Sequence, residues 1–241
     1  MTSLALVVLV GALAQAAPPD DKEALAKAAE KTRELENYRF KGRISVDGTP
    51  FLADPVELSG VYDKEKGFSA SIGPFGSLFR LGKKAAIKDP DSGAWMHLRL
   101  GTKVGEGPHA ARIPLIAGGL KPPHEELKKF EGRFKEIKKK DGEEKIGDVS
   151  CVVYEGPLTE GGVKSSLPAG VGAMLGKGTY EGTGRAWVAD GRIIKFTADA
   201  KIQIEDKDGT LDLTISRTME IAEIGKATVE MPAEVKKLFE D

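Results

Sequence analysis

The chain has 241 residues, 40% hydrophobic and 30% charged, a balance that excludes the disordered and fibrous classes and fits a globular protein. Its 36 basic side chains meet 37 acidic ones, so it lacks the basic excess that a general nucleic-acid binder needs. The single cysteine, Cys151, excludes an intramolecular disulfide, and the core alone must hold the fold.

Leu4 to Leu13 is an apolar run too short to span a bilayer, followed by the small-x-small pattern Ala14-Gln15-Ala16. Residues 1–17 are therefore expected to be a signal peptide that is cleaved, with a retained anchor as the alternative, because Met1-Thr2-Ser3 carries no Lys or Arg. No cysteine stands at the cleavage point for lipid attachment. Residues 18–241 are expected to form one soluble domain, periplasmic or secreted.

Asp20 with Glu23 resembles a capping box, and Leu25, Ala28, Ala29, Thr32 and Leu35 recur at helical spacing. From Tyr38 the period becomes two: Tyr38, Phe40, Gly42, Ile44 and Val46 alternate with Arg39, Lys41, Arg43 and Ser45, as in a half-buried antiparallel strand. Asp47-Gly48 marks a turn, and strands are expected at Val56–Tyr62, Phe68–Ile72, Leu78–Ile87 and Trp95–Leu100. A short Pro-initiated helix is expected at Pro123–Phe130. Strands resume at Phe134–Lys140, turn at Asp141-Gly142 and return through Val149–Tyr154. Gly184–Ala189, the turn Asp190-Gly191, Arg192–Glu205 and Leu211–Glu223 complete the strands, and Pro232–Phe239 reads as a closing helix. The fold class is α+β, with helices on one face of an antiparallel sheet.

Catalytic signals are weak. Gly170–Thr179 (GVGAMLGKGT) has the wrong glycine spacing for a phosphate-binding loop, and Lys177 is followed by Gly178 rather than Ser or Thr. His97, His109 and His124 lack metal-ligand spacing, Ser165 and Ser166 lack a nucleophile elbow, and Cys151 reads as a buried, inert thiol. No cofactor, metal or catalytic residue is expected. The apolar stretch Leu167–Leu175, inside some twenty-five residues between strands, is long enough to act as a lid or cavity plug. Arg217 breaks the apolar parity of Leu211, Leu213, Ile215, Met219 and Ile221. A bulge that turns it outward is the preferred reading. The alternative is an inward cation able to meet a lipid phosphate or carboxylate.

Taken together, the layout resembles the LolA-like fold of periplasmic lipoprotein carriers and of LppX- and LprG-like lipid-binding lipoproteins. The resemblance rests on four features: the helix running into the strand at Glu36-Asn37-Tyr38-Arg39-Phe40, the Pro123 helix before the strand pair around Glu144–Gly156, the hairpin Trp187–Gly191, and the ending Ile224–Pro232. It implies a strongly curved antiparallel sheet, an incomplete β-barrel, whose concave side is covered by helices over an apolar cavity that receives acyl chains. The apolar parity offers Phe40, Ile44, Phe68, Ile72, Ile194, Phe196 and Ile202 as lining, with Arg217 as a polar contact. The same residues could instead pack against the helices.

The expected function is binding or carriage of a lipid or of lipoprotein acyl chains, without chemistry, by a monomer that binds no nucleic acid. Envelope lipoproteins or membrane proteins would be its protein partners. An envelope interaction or sensor module on the same fold is the first rival, and a hydrolase the second.

Overall fold

A computed structural model describes residues 20–48, 54–99, 104, 113–167, 175–206 and 209–240. The expected signal peptide, His109 and most of the apolar Leu167–Leu175 stretch lie outside these residues.

Helix α1 (Asp21–Arg33) begins at Asp20, whose carboxylate accepts the Lys22 N–H, and buries Leu25, Ala28, Ala29 and Thr32. The chain then enters β1 (Asn37–Asp47), where strict alternation buries every second residue. Strands β2 (Val56–Asp63), β3 (Gly67–Ile72), β4 (Ser77–Leu81), β5 (Lys84–Lys88) and β6 (Trp95–His97) follow as a meander. Leu78–Ile87, expected as one strand, is divided between β4 and β5 because Gly82 takes a positive φ of 56° and turns the chain.

Three short helices come next: α2 (Ile113–Gly119), α3 (Pro123–Glu126) and, after β7 (Lys138–Ile146) and β8 (Val149–Pro157), α4 (Glu160–Ser165). A 3-10 turn at Phe130–Arg133 follows α3. The turn expected at Asp141-Gly142 is absent: β7 runs through it with a register shift between Lys139 and Glu143, and the hairpin turns at Gly147 instead. Likewise, the long connection after β8 is not structureless, since Thr159 caps α4 by accepting the Gly162 N–H. Strands β9 (Thr179–Ala189), β10 (Arg192–Asp206), β11 (Gly209–Ala222) and helix α5 (Ala233–Glu240) close the chain.

The eleven strands form one sheet in the order β6-β5-β4-β3-β2-β1-β11-β10-β9-β8-β7. Every pairing is antiparallel, and β6 and β7 are left unpaired to each other, so the sheet is an incomplete barrel. One contiguous apolar cluster runs from Ile87 on β5 through Phe40, Ile215 and Phe196 to Tyr154 on β8, taking in α1, α2 and Leu127. A sheet whose two ends share one cluster must be bent around it, and the helices lie on its inner side.

The outer face carries two smaller clusters. Phe79 and Ala86 pack under Val229, Val235 and Phe239 of the C-terminal segment, and Cys151 and Val153 pack with Trp187 and Ala189.

Two registers decide which side chains face inward. On β11 the pairing with β1 and β10 is regular through Arg217, which stands opposite Ile44 on one side and Ala198 on the other. The bulge preferred for this position is absent, and Arg217 points into the interior, 4% exposed. A register shift occurs instead on β10 between Ile193 and Lys195. It places Ile193 in the interior and Ile194 with the outer cluster around Trp187, so Ile194 does not line the concave face. The Ile193 N–H at this shift is taken up by the buried Thr32 Oγ1 of α1 at 2.8 Å, which fixes the helix against the irregularity.

Candidate interior site

The concave wall is built from residues on alternate positions of adjacent strands. Phe40, Ile44, Phe68, Ile72, Phe196 and Ile202 all belong to the central cluster and are all buried. Phe40 and Phe68 stack with centroids 5.5 Å apart, and Phe130 of the covering layer meets Phe196 edge-on at 5.6 Å. Of these side chains, Phe196 meets the cover through Phe130, and the others share its central cluster.

Polar groups tie the cover to the wall at three places. Arg80 on β4 donates to the carbonyls of Leu120, Ala117 and Gly118 at 3.0, 3.2 and 3.3 Å, satisfying the C-terminal end of α2. Tyr38 on β1 lies 2.7 Å from Nδ1 of His124 on α3. Burial, with Arg33 adding to it, lowers the His124 imidazole to about 4, and burial raises the Tyr38 hydroxyl well above the usual phenol range.

The third tie is charged. Arg217 Nη2 is ion-paired with the Glu126 carboxylate, and Nη1 donates to the Ser165 carbonyl at 3.1 Å. Arg133 donates to the main-chain carbonyl of Glu126 and lies 5.1 Å from the centroid of the Phe130 ring. Burial lowers the Arg133 guanidinium to about 10, opposed by Glu126, so it stays a cation at neutral pH. A cavity of about 10 Å³ lies here, lined by Arg133, Arg217, Ser166 and Thr197 with Phe130, Phe134, Leu158, Gly162, Phe196 and Ala198.

The remaining sequence candidates are dispersed. Cys151 sits on the outer face, where burial pushes its thiol up, away from the reactive thiolate. The hydroxyls of Ser165 and Ser166 both donate to the Gly162 carbonyl, at 2.8 and 3.0 Å. His97 stacks on Phe239, remote from His124 on the inner side. Of the glycine-rich Gly170–Thr179 stretch, 170–174 lie outside the described residues, and 175–179 lead into strand β9, whereas a phosphate loop opens a helix. Among the described residues no three of His, Cys, Asp and Glu converge as a metal site requires, and no helix is long and apolar enough to cross a membrane. Glu126, Arg133 and Arg80 were invisible as site residues in the sequence, because their partners lie 37 to 91 positions away or on main-chain atoms. Only the parity of Arg217 carried a signal.

Among solved structures the chain is similar to LprF from Mycobacterium bovis, with 12% identity, a TM-score of 0.50, and coverage of 89% of this chain and 96% of that one. It also aligns with the LolA superfamily protein NE2245 from Nitrosomonas europaea at 13% identity, covering 90% and 97% of the two chains, but a TM-score of 0.29 carries no argument. No protein-family model matches the chain, nor does any curated protein. The likeness to LprF is one of fold alone.

Proposed function

We propose that this protein is exported through its N-terminal segment and binds a hydrophobic ligand, a lipid or lipoprotein acyl chains, between the concave sheet and its helical cover. One observation carries the reading. The continuous apolar concave wall is covered by α1 and by helices of seven, four and six residues rather than by a second sheet. The three short ones have no stability of their own in water and are held by their contacts with the wall. A ligand that offers equivalent apolar contact can take their place.

Magnitudes allow it. Each acyl methylene removed from water contributes about 0.8 kcal/mol, so a dozen give roughly 10 kcal/mol before ordering costs. Micromolar affinity requires about 8 kcal/mol. Among the described residues the cavity beside Arg217 is about 10 Å³, so a ligand seated there displaces part of the cover. The role is binding without chemistry, in the periplasm or outside the cell.

Native mass spectrometry of protein purified from its own host, followed by organic extraction, tests the proposal. Co-purifying lipid is the expected result. Lipid-free protein that also ignores acyl probes at micromolar concentration would sink it. A stable protein partner in place of lipid would point to an interaction module, and turnover of an ester panel to an enzyme.

A further inference from the structure

The regular pairing of β11 leaves Arg217 no route out of the apolar interior, and its three guanidinium nitrogens are unequally served. Nη1 has the Ser165 carbonyl and Nη2 has Glu126, whereas the buried Nε has no acceptor. A second guanidinium, Arg133, lines the same small cavity, and among the described residues it forms no ion pair, donating instead to a main-chain carbonyl. Two cations therefore share the single carboxylate of Glu126, leaving a net positive charge surrounded by Phe130, Phe134, Phe196 and Leu158. Ser166, whose hydroxyl donates to the Gly162 carbonyl, carries no charge to offset it.

A buried guanidinium with an idle donor, beside space for about one oxygen atom, matches the oxygens of a carboxylate or phosphate. The aromatic and aliphatic lining around it matches a hydrocarbon chain. We infer that Arg217 and Arg133 form an anion seat inside the concave interior, so that the ligand is an acyl amphiphile with a carboxylate or phosphate head group. This rests on the acyl-binding function proposed above and specifies the chemistry of its ligand. The seat and the hydrocarbon contacts act together, because a bare anion gains nothing from the apolar lining.

Calorimetric titration of the full chain with laurate, monolauryl phosphate, methyl laurate and inorganic phosphate tests the seat. Laurate or monolauryl phosphate is expected to bind about ten-fold or more tightly than methyl laurate, and inorganic phosphate negligibly. Whichever of the two anionic amphiphiles binds more tightly identifies the head group. Arg217→Met is expected to remove that advantage, so that the anionic amphiphiles bind no more tightly than methyl laurate. Glu126→Gln, which removes the competing carboxylate, is expected to raise laurate affinity several-fold, and it decides the matter if Arg217→Met does not fold. Equal affinity for laurate and methyl laurate, or no gain in Glu126→Gln, overturns the anion seat alone. Failure of every amphiphile to bind overturns the acyl-binding function with it.

Discussion

Tyr38 and His124 meet through two hydrogen bonds: the Tyr38 hydroxyl lies 2.7 Å from the imidazole Nδ1 and accepts the backbone N–H of His124 at 3.2 Å. The tautomer of the neutral imidazole sets which of the two donates, and in either case one oxygen serves both the side chain and the backbone of α3. Tyr62 lies against the same ring, with centroids 4.2 Å apart. Sheet and cover are thus joined at a site where water has been excluded.

Tyr38→Phe keeps the ring and deletes the oxygen, leaving a buried N–H and a buried ring nitrogen without their partner. The expected loss is about 1–3 kcal/mol in urea unfolding. A change below about 0.5 kcal/mol would mean that water reaches α3 in solution.

The same histidine gives the fold a pH dependence. Its folded value of about 4 lies below the ordinary 6.5, so between these values the unfolded chain holds a proton that the folded chain refuses. Stability is complete above pH 6.5, falls as the pH drops through this window, and levels off below about 4 as far as this group is concerned. Allowing for residual solvent screening, the contribution is about 2 kcal/mol. Urea midpoints at pH 7 and pH 5 should converge in His124→Gln, and an unchanged slope would assign the effect to carboxylates.

Arg217 and Glu126 are expected to be strongly coupled. Arg217→Met alone or Glu126→Met alone strands a charge in the interior and should cost about 3–5 kcal/mol. The double replacement strands neither and should cost clearly less than the two single losses added together. Additive losses in the double-mutant cycle would show that the pair is solvated.

Two glycines separate close approach from idle space. A Cβ at Gly60 would stand 2.2 Å from the Ser69 carbonyl oxygen and 2.6 Å from the Phe40 ring. Gly60→Ala should therefore destabilise by about 1–3 kcal/mol. At Gly118, exposed in α2, a Cβ meets nothing within 4 Å. Gly118→Ala should stabilise by about 0.5–1 kcal/mol through helix propensity alone. Thermal unfolding of both variants reads the opposite signs.

Helix α1 and strand β1 were legible because each buries one face, and a one-sided pattern shows in the sequence directly. Around β4 and β5 the pattern failed, since Leu78 packs inward while Phe79 is buried outward under Phe239. A strand covered on both faces loses its alternation, and the covering segment comes from the far end of the chain. Arg217 and Ile194 were misplaced for one shared reason. A bulge is set by the partner strand's register, and the parity of a single strand does not reveal which residue is the extra one. The charged tie between Arg217 and Glu126 spans 91 positions, a separation that local spacing does not report.

The pairing of β1 with β11, from Arg39 opposite Ala222 to Asp47 opposite Thr214, has a consequence for biosynthesis. Among the described residues it is the one strand pairing between a meander made of β1 to β6 and another made of β7 to β11. As the chain leaves the ribosome, the first meander emerges with one flank of β1 bare, and it stays bare until the last strand has been translated. Such late, long-range closure makes folding slow and leaves the nascent half exposed to wrong pairing. Joining the present termini and opening the chain between the two meanders would leave β1 and β11 in adjacent stretches of sequence, and the nascent protein would close its seam midway through synthesis instead of at its end.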